Sequence, residues 1–381
     1  MRIAVYTDYK YARRDGGVYA ERAFALFLAR LSEEIERMML VGRLDPRPGQ
    51  GRYRLPPGIE LVALPYYESL GRPIAAAVAL CRAPVRFWRA LDEVDACWLL
   101  GPHPLCLVFA LLAAVRRRQV VLGVRQDTPA YAASRHPGRR SFALVARALD
   151  AAYRLLARRC PTVVVGAALA ENYAAARRLL EITVSLVPED GIIGPDEAAR
   201  RAYDEPLQIL SVGRIDEEKN PLLLAEVLAL LAAEPPGWRL VVCGEGPLTD
   251  ALRRRLNELG VAEFAELRGY VEHGGALADA YRTSHVLLHT SWTEGLPQVI
   301  PEAMAAGVPV VATDVGGIRT AVGDAVILIE PGRADLAAAA LRRVASEPEL
   351  RRRLLSAGND YVRAHTLEAE VERVAEFLEA G

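Results

Sequence analysis

Short runs of β-branched and aliphatic residues alternate with longer Ala-, Leu- and Arg-rich stretches along the whole chain, and no other feature narrows the possible folds as far. In the first half RIAVYT, EIERMMLVG, IELVALP, ACWLLG, QVVLGV and PTVVVG are separated by helical patterns. This alternation is the mark of βα units laid on a parallel sheet. After the Pro- and Gly-punctuated segment LVPEDGIIGPDEAARRAYDEP the rhythm restarts with LQILSVG, WRLVVCG, AELRGYV, HVLLHT and VPVVAT, so a second α/β domain is expected to begin near Gly191. A length of 381 residues suits two such domains better than one ordinary core. The similar rhythm of the halves is architectural, and no short-period repeat appears.

Composition excludes some classes of function. The chain is 25% charged with a formal net charge of -1, without the basic excess of a nucleic-acid binder. Cys81, Cys97, Cys106, Cys160 and Cys243 show no Cys-x-x-Cys spacing, and they read as reduced core thiols of a cytoplasmic protein. The start MRIAVYTDYK reads as a strand, with no secretory signal. The most apolar run, PLCLVFALLAAV, is 12 residues long where a membrane span takes about 20, so a buried helix is expected there. LEAEVERVAEFLEA places Leu367, Val371, Val374 and Phe377 at helical spacings and reads as an amphipathic helix.

Ligands of open parallel sheets bind beyond the carboxyl ends of the strands, and the chain's reactive residues gather at such ends. In TEGLPQVIPEAMAAG the Gly-Leu-Pro turn, Pro301 and Gly307 mark the start and stop of a helix whose free amides suit a phosphate. Glu302, in the first turn, has the alternative of favouring its own helix, whereas Glu294 follows HTSWT at a strand end, where its carboxylate can accept from substrate hydroxyls. SVGRIDEEKN sets Gly213, Arg214 and Lys219 just past another strand. The two cations suit a diphosphate, or else are neutralised in surface pairs by the DEE between them. Of 47 Lys plus Arg residues only Lys10 and Lys219 are lysine, so a chain that writes arginine almost everywhere has kept lysine here. In DGGVYAERA, Gly16 and Gly17 are read as preceding a helix and opening the backbone to a phosphate or transferred group, with a plain turn as the alternative. His103, between two prolines past a strand end, is either a ligand or an ordinary loop residue.

Taken in order, DGGVYAERAFALFLARL, SVGRIDEEKNPLLLAEVL, VVCGEGPLTDAL, RGYV and HTSWTEGLPQVIPEAMAAGVPVVATDVGG resemble glycosyltransferase family 4, retaining enzymes of the GT-B fold. The resemblance is dense from Leu207 to Val344 and sparse before it, apart from the start. It implies an α/β protein of two Rossmann-like domains facing a central cleft: residues 1–190 binding the acceptor, residues 191–361 binding a nucleotide-diphosphate sugar, and the helix at 362–381 packing back on the first. It implies diphosphate binding by Arg214 and Lys219, donor-sugar contact by Glu294 and ribose contact by Glu302. Amides near Gly295, Leu296 and Pro297 would approach the diphosphate or sugar, and Arg268, Tyr270 and Val271 would lie in the base-recognition loop. No cofactor and no metal are expected, since no ligand cluster is visible and the family usually needs none.

Cleavage of the donor leaves negative charge on the β-phosphate while positive charge grows on the sugar, which is where preorganised cations and amides act most strongly. With no carboxylate to place on the opposite sugar face, front-face transfer assisted by the leaving phosphate is the expected route. Two departures stand out: Gln126 or Asp127 in RQDTPAY occupies the turn where many relatives carry a histidine, with His103 as the substitute, and GGIRTAV lacks a following acid. Rival readings are a sugar-nucleotide or glycan-binding protein without turnover and a sugar-nucleotide epimerase. For the unidentified acceptor, RPIAAAVALCRAPVRFWRAL combines Arg72, Arg82, Arg86 and Arg89 with Phe87 and Trp88, and is read as either a peripheral membrane contact or a core-facing helix with arginines in water.

Overall fold

The computed structural model describes residues 1–47, 51–68, 73–135, 139–232, 237–272, 274–294 and 296–380; Arg72 and Gly295 lie outside them. The chain forms two compact units, Met1–Leu186 with Leu367–Gly381, and Val187–Thr366.

In the first unit, parallel strands Glu60–Leu64, Arg37–Leu44, Arg2–Arg14, Ala96–Gly101, Gln119–Val124, Pro161–Val165 and Arg178–Ile182 lie side by side in that order. ACWLLG is buried at every position, as a strand covered on both faces must be. One face is covered by Phe27, Leu28 and Leu31 of helix Phe24–Glu34 with Val371, Val374 and Leu378 of helix Leu367–Glu379. The other is covered by helices Pro73–Ala90, Pro104–Val115 and Arg140–Ala157, through Phe87, Phe109 and Tyr153. Phe87 and Phe109 stack with ring centroids 4.1 Å apart, so Phe87 is a core residue and not a surface aromatic.

Four sequence expectations are corrected here. Gly16 and Gly17 do not open a helix: Arg2–Arg14 pairs antiparallel with Gly17–Ala20, and Asp15 and Gly16, at φ 49° and 71°, make the turn between them. Positive φ at both central residues is the type I′ hairpin geometry that Asp-Gly favours. PLCLVFALLAAV buries one side only, with Leu111 and Val115 exposed on the other. The units divide at Leu186–Val187 and not after residue 190. The returning segment begins at Leu367 and not at 362, because helix Pro348–Ala364 belongs to the second unit, where Leu350, Leu354 and Val362 are buried.

The second unit is a six-stranded parallel sheet in the order Ala265–Gly269, Trp238–Cys243, Leu207–Val212, Val286–His289, Val310–Thr313 and Ile327–Ile329. Helix Leu222–Ala232, apolar on nearly every side, is held between this sheet and helix Ala334–Ser346 by Leu224, Val227, Leu228 and Leu341. Tyr281, Ile300, Met304 and Val362 fill the opposite face. The strand order reverses between Leu207–Val212 and Val286–His289, which opens a crevice at their carboxyl ends.

Candidate active site

That reversal point is where the sequence put its reactive residues. A shallow, solvent-open pocket lies there, lined among others by Gly213, Arg214, Lys219, His289, Thr290 and Ser291. Backbone contacts hold its walls. Gly213 N donates to Cys243 O (3.0 Å) and Ile215 N to Glu245 O (3.0 Å), and a Cβ on Gly244 would stand 1.7 Å from Gly213 O, so the loop CGEGP reaches this one only with glycine at 244. Asp216 accepts from Lys219 N (3.3 Å) and fixes the short 3-10 turn Glu217–Lys219. Thr290 Oγ1 donates to Lys219 O (2.9 Å), and Trp292 N to Glu218 O (2.9 Å), tying this turn to the loop after Val286–His289.

The two loops meet in one ion pair. Lys219 Nζ donates to Glu294 Oε1, and Ser291 Oγ donates to the same oxygen at 2.8 Å. His289 Nε2 lies 3.2 Å from it without the alignment of a hydrogen bond. Glu294 is 10% exposed. Burial pushes its acid up, but the His289 ring and the Lys219 charge more than reverse this and hold it down to about 2. Gly316, at φ 57°, supports the loop from behind: a Cβ there would stand 1.8 Å from Glu294 O. Gly316, the first glycine of the pair in VATDVGG, thus has a positional role.

Arg214 is half exposed and pairs with Asp216 and, at 3.2 Å, with Glu218. The neutralising alternative read from the sequence therefore describes Arg214, while Lys219 turns from the same acids to Glu294. Glu302, in helix Val299–Ala305, accepts from Tyr281 Oη (2.8 Å), and burial pushes its acid up to about 7. Leu296 and Val271 are partly buried against the Ile300–Met304 core, and Pro297 is buried. Arg268 forms a two-bond pair with Glu266 (3.0 Å each) on strand Ala265–Gly269, and Tyr270 beyond it is 38% exposed.

In the first unit, Gly16 and Gly17 stand at the hairpin turn, and His103 follows Ala96–Gly101 as the N-cap of Pro104–Val115. Its Nδ1 accepts from Leu105 N (3.2 Å), which places the proton of the neutral ring on Nε2, 3.1 Å from Tyr67 Oη; Tyr67 in turn donates to Asp8 (2.7 Å). Burial lowers the His103 pKa against the opposing charge of Asp8. Both ring nitrogens are thus engaged inside this unit. Asp127 accepts from Ala130 N (2.9 Å) as a cap, and Gln126 is exposed.

His289, Ser291 and Tyr281 escaped the sequence reading. The available signal was a histidine closing the otherwise apolar strand VLLH; Tyr281, alone in a helix 21 residues from Glu302, gave none. Among the described residues no group of His, Cys, Asp and Glu is arranged to hold a metal ion.

Residues 195–360 match the family described as Glycosyl transferases group 1. A D-inositol 3-phosphate glycosyltransferase of Thermomonospora curvata is 33% identical over 204 residues, covering 50% of this chain and 47% of its own. The chain thus spans about half the length of the curated relatives it matches. Among solved structures, Anabaena HepE in complex with UDP superposes with a TM-score of 0.73 at 17% identity, covering 100% of both chains. Its complex with UDP-glucose gives 0.70 at 16%, also over 100% of both. Sucrose-phosphate synthase of Thermosynechococcus elongatus gives 0.71 at 17%, covering 100% of this chain and 98% of that one. These likenesses identify the fold as GT-B, with its two Rossmann-like units.

Proposed function

We propose, from the match of residues 195–360 to glycosyl transferases group 1, that this chain is a retaining glycosyltransferase that moves a sugar from a nucleotide-diphosphate donor to an acceptor. The observation that carries the reading is the Lys219–Glu294 pair at the reversal point of the second sheet, with Arg214 beside it. The UDP and UDP-glucose complexes of the structurally similar HepE support a donor of this class.

This reading implies a sequence of exchanges. Lys219 is paired with Glu294, and Arg214 with Asp216 and Glu218. A diphosphate entering the pocket draws both cations to its oxygens, Lys219 as a compact charge and Arg214 through its fork. Glu294, still ionised, then turns to the donor sugar's hydroxyls, with Ser291 remaining as a donor to it. Glu302 receives the ribose hydroxyls. Gly213 and the Leu296 amide approach the phosphates, and the Arg268–Val271 loop receives the base. As the glycosidic bond breaks, charge develops on the β-phosphate facing Arg214 and Lys219, and departure and attack on one face retain the anomeric configuration. No metal and no cofactor enter this scheme. As the resemblance implies, Gly16 and Gly17 are assigned to a phosphate or the transferred group, and His103 or the Gln126–Asp127 turn to the sugar. The acceptor is a glycan, a lipid-linked molecule or a small molecule, met in the cytoplasm or at its membrane face.

The test is incubation of the purified chain with a panel of nucleotide sugars and candidate acceptors, with the product followed by proton NMR. The expected outcome is release of nucleoside diphosphate and a new glycoside of the donor's own anomeric configuration. An inverted product, or free sugar formed equally well with no acceptor present, counts against the reading.

A further inference from the structure

Helix Pro104–Val115 carries no polar side chain. Its inward residues Leu105, Cys106, Phe109, Ala110 and Ala113 are buried, yet the outward stripe Pro104, Val108, Leu111 and Val115 is just as apolar, with Leu111 66% and Val115 63% exposed. A helix that is apolar all round suits an environment that is apolar on both sides. Helix Arg140–Ala157 repeats the pattern: Ala146, Tyr153 and Ala157 are buried, while Leu144, Ala148, Ala151 and Leu155 form an outward stripe, with Leu144 65% and Leu155 60% exposed. Both helices, with Pro73–Ala90 and its exposed Val85, pack into one hydrophobic cluster on one face of the first sheet, so their outward stripes are neighbours.

The charges bordering these stripes are almost all of one sign. Arg140, Arg147, Arg154 and Arg158 recur along one flank of the Leu144–Leu155 stripe, and Arg116, Arg117 and Arg118 follow directly on Pro104–Val115. Helix Pro73–Ala90 bears Arg82, Arg86 and Arg89 and no acid. The nearby acids are paired, Asp150 with Arg154 and Tyr173 and Asp92 with Arg116, so the basic excess is carried by the remaining arginines, Arg140, Arg147 and Arg158 among them. In a chain of net charge -1 this basic excess is local.

We propose that this outward layer is a docking surface for an anionic lipid bilayer, with the arginines on headgroup phosphates and Leu111, Leu144 and Leu155 set into the acyl boundary. A second copy of the chain would bring arginine against arginine, and a nucleic acid would leave the leucines in water. A bilayer with acidic headgroups accommodates both. The inference rests on the membrane-face part of the reading above and is independent of the transfer chemistry. It moves the contact from the aromatic residues of RPIAAAVALCRAPVRFWRAL, whose Phe87 is core, to the two helices beside that segment.

The test is co-sedimentation of the full chain, without donor, with vesicles of phosphatidylglycerol and phosphatidylcholine in equal parts and with vesicles of phosphatidylcholine alone. Binding is expected to the first and not to the second, and to fall as salt is raised. Replacing Arg147 and Arg158 by Gln should weaken it about fivefold per arginine. Leu111→Glu with Leu144→Glu should weaken it at least about tenfold, with melting temperature and nucleoside-diphosphate affinity unchanged. Leu230→Glu, at an exposed leucine of the second unit, should have no effect. Equal binding to both vesicles, indifference to the leucine pair, or a dimer in light scattering that the leucine pair dissolves while vesicles go unbound would each overturn the proposal. Loss of transfer with lipid binding intact would strike the functional reading and leave this one standing.

Discussion

Replacing Glu302 by Gln should stabilise the protein above neutral pH, although it removes a residue assigned to donor binding. The Glu302 acid titrates at about 7 in the folded chain, against an ordinary value of 4.5. The cause is burial, opposed only in part by the hydrogen bond from Tyr281. The sign follows from linkage. Below the ordinary value the group is protonated in both states and adds no pH dependence. Between the two values the folded chain keeps a proton that the unfolded chain has released, so stability falls as pH rises, by about 1.4 kcal/mol per unit, reaching about 3 kcal/mol above neutrality. Gln cannot ionise, and its amide oxygen still accepts from Tyr281, so Glu302→Gln escapes this loss. In a unit of this size about 3 kcal/mol corresponds to roughly 6–12 °C. Scanning calorimetry of parent and variant from about pH 5 to about pH 9 should show curves that meet at the acid end and separate through neutrality, the variant melting higher. Parallel curves across the range would mean that Glu302 ionises like an exposed carboxyl, and the burial argument would fail.

Lys219→Arg should fold normally and bind donor within a few-fold of the parent, yet turn over about a hundredfold or more slowly, because a planar guanidinium displaces charge from the leaving phosphate; stopped-time product analysis with near-parental rates would show that positive charge alone suffices. Gly316→Ala should cost at least about 1–2 kcal/mol through its left-handed conformation alone, and more through contact with Glu294 O, so both melting temperature and turnover should drop; an unchanged kcat would release Glu294 from dependence on that glycine. Turnover should persist in excess chelator, and full loss restored by manganese or magnesium would overturn the metal-free scheme. Glu294→Ala should lower turnover while leaving nucleoside-diphosphate affinity nearly intact, since its proposed partner is the sugar; calorimetry showing the affinity lost would reverse its assignment.

The βα rhythm was legible because fully buried parallel strands read as continuous apolar runs, and ACWLLG and VVAT need no partner's position to be recognised. Function-bearing pairings were less so, because they join residues far apart in sequence. Lys219 and Glu294 were each singled out, but 75 residues separate them, and nothing local says that they pair. His289 looked like part of a core strand, and its place beside Glu294 depends on the turn that follows. DGG misled for a different reason: tight hairpins and phosphate loops use the same glycines, and only the antiparallel partner Gly17–Ala20 distinguishes them. PLCLVFALLAAV misled because periodicity finds a buried face by contrast with a polar one, and this helix has none.

The central claim, that the pocket at the reversal of the second sheet receives a nucleoside diphosphate, is tested most directly by calorimetric titration of the full chain with the common nucleoside diphosphates. At least one should bind the parent and lose most of its affinity when Arg214 and Lys219 are both replaced by Ala. Absence of binding by every diphosphate, or equal affinity in parent and double variant, would contradict the account.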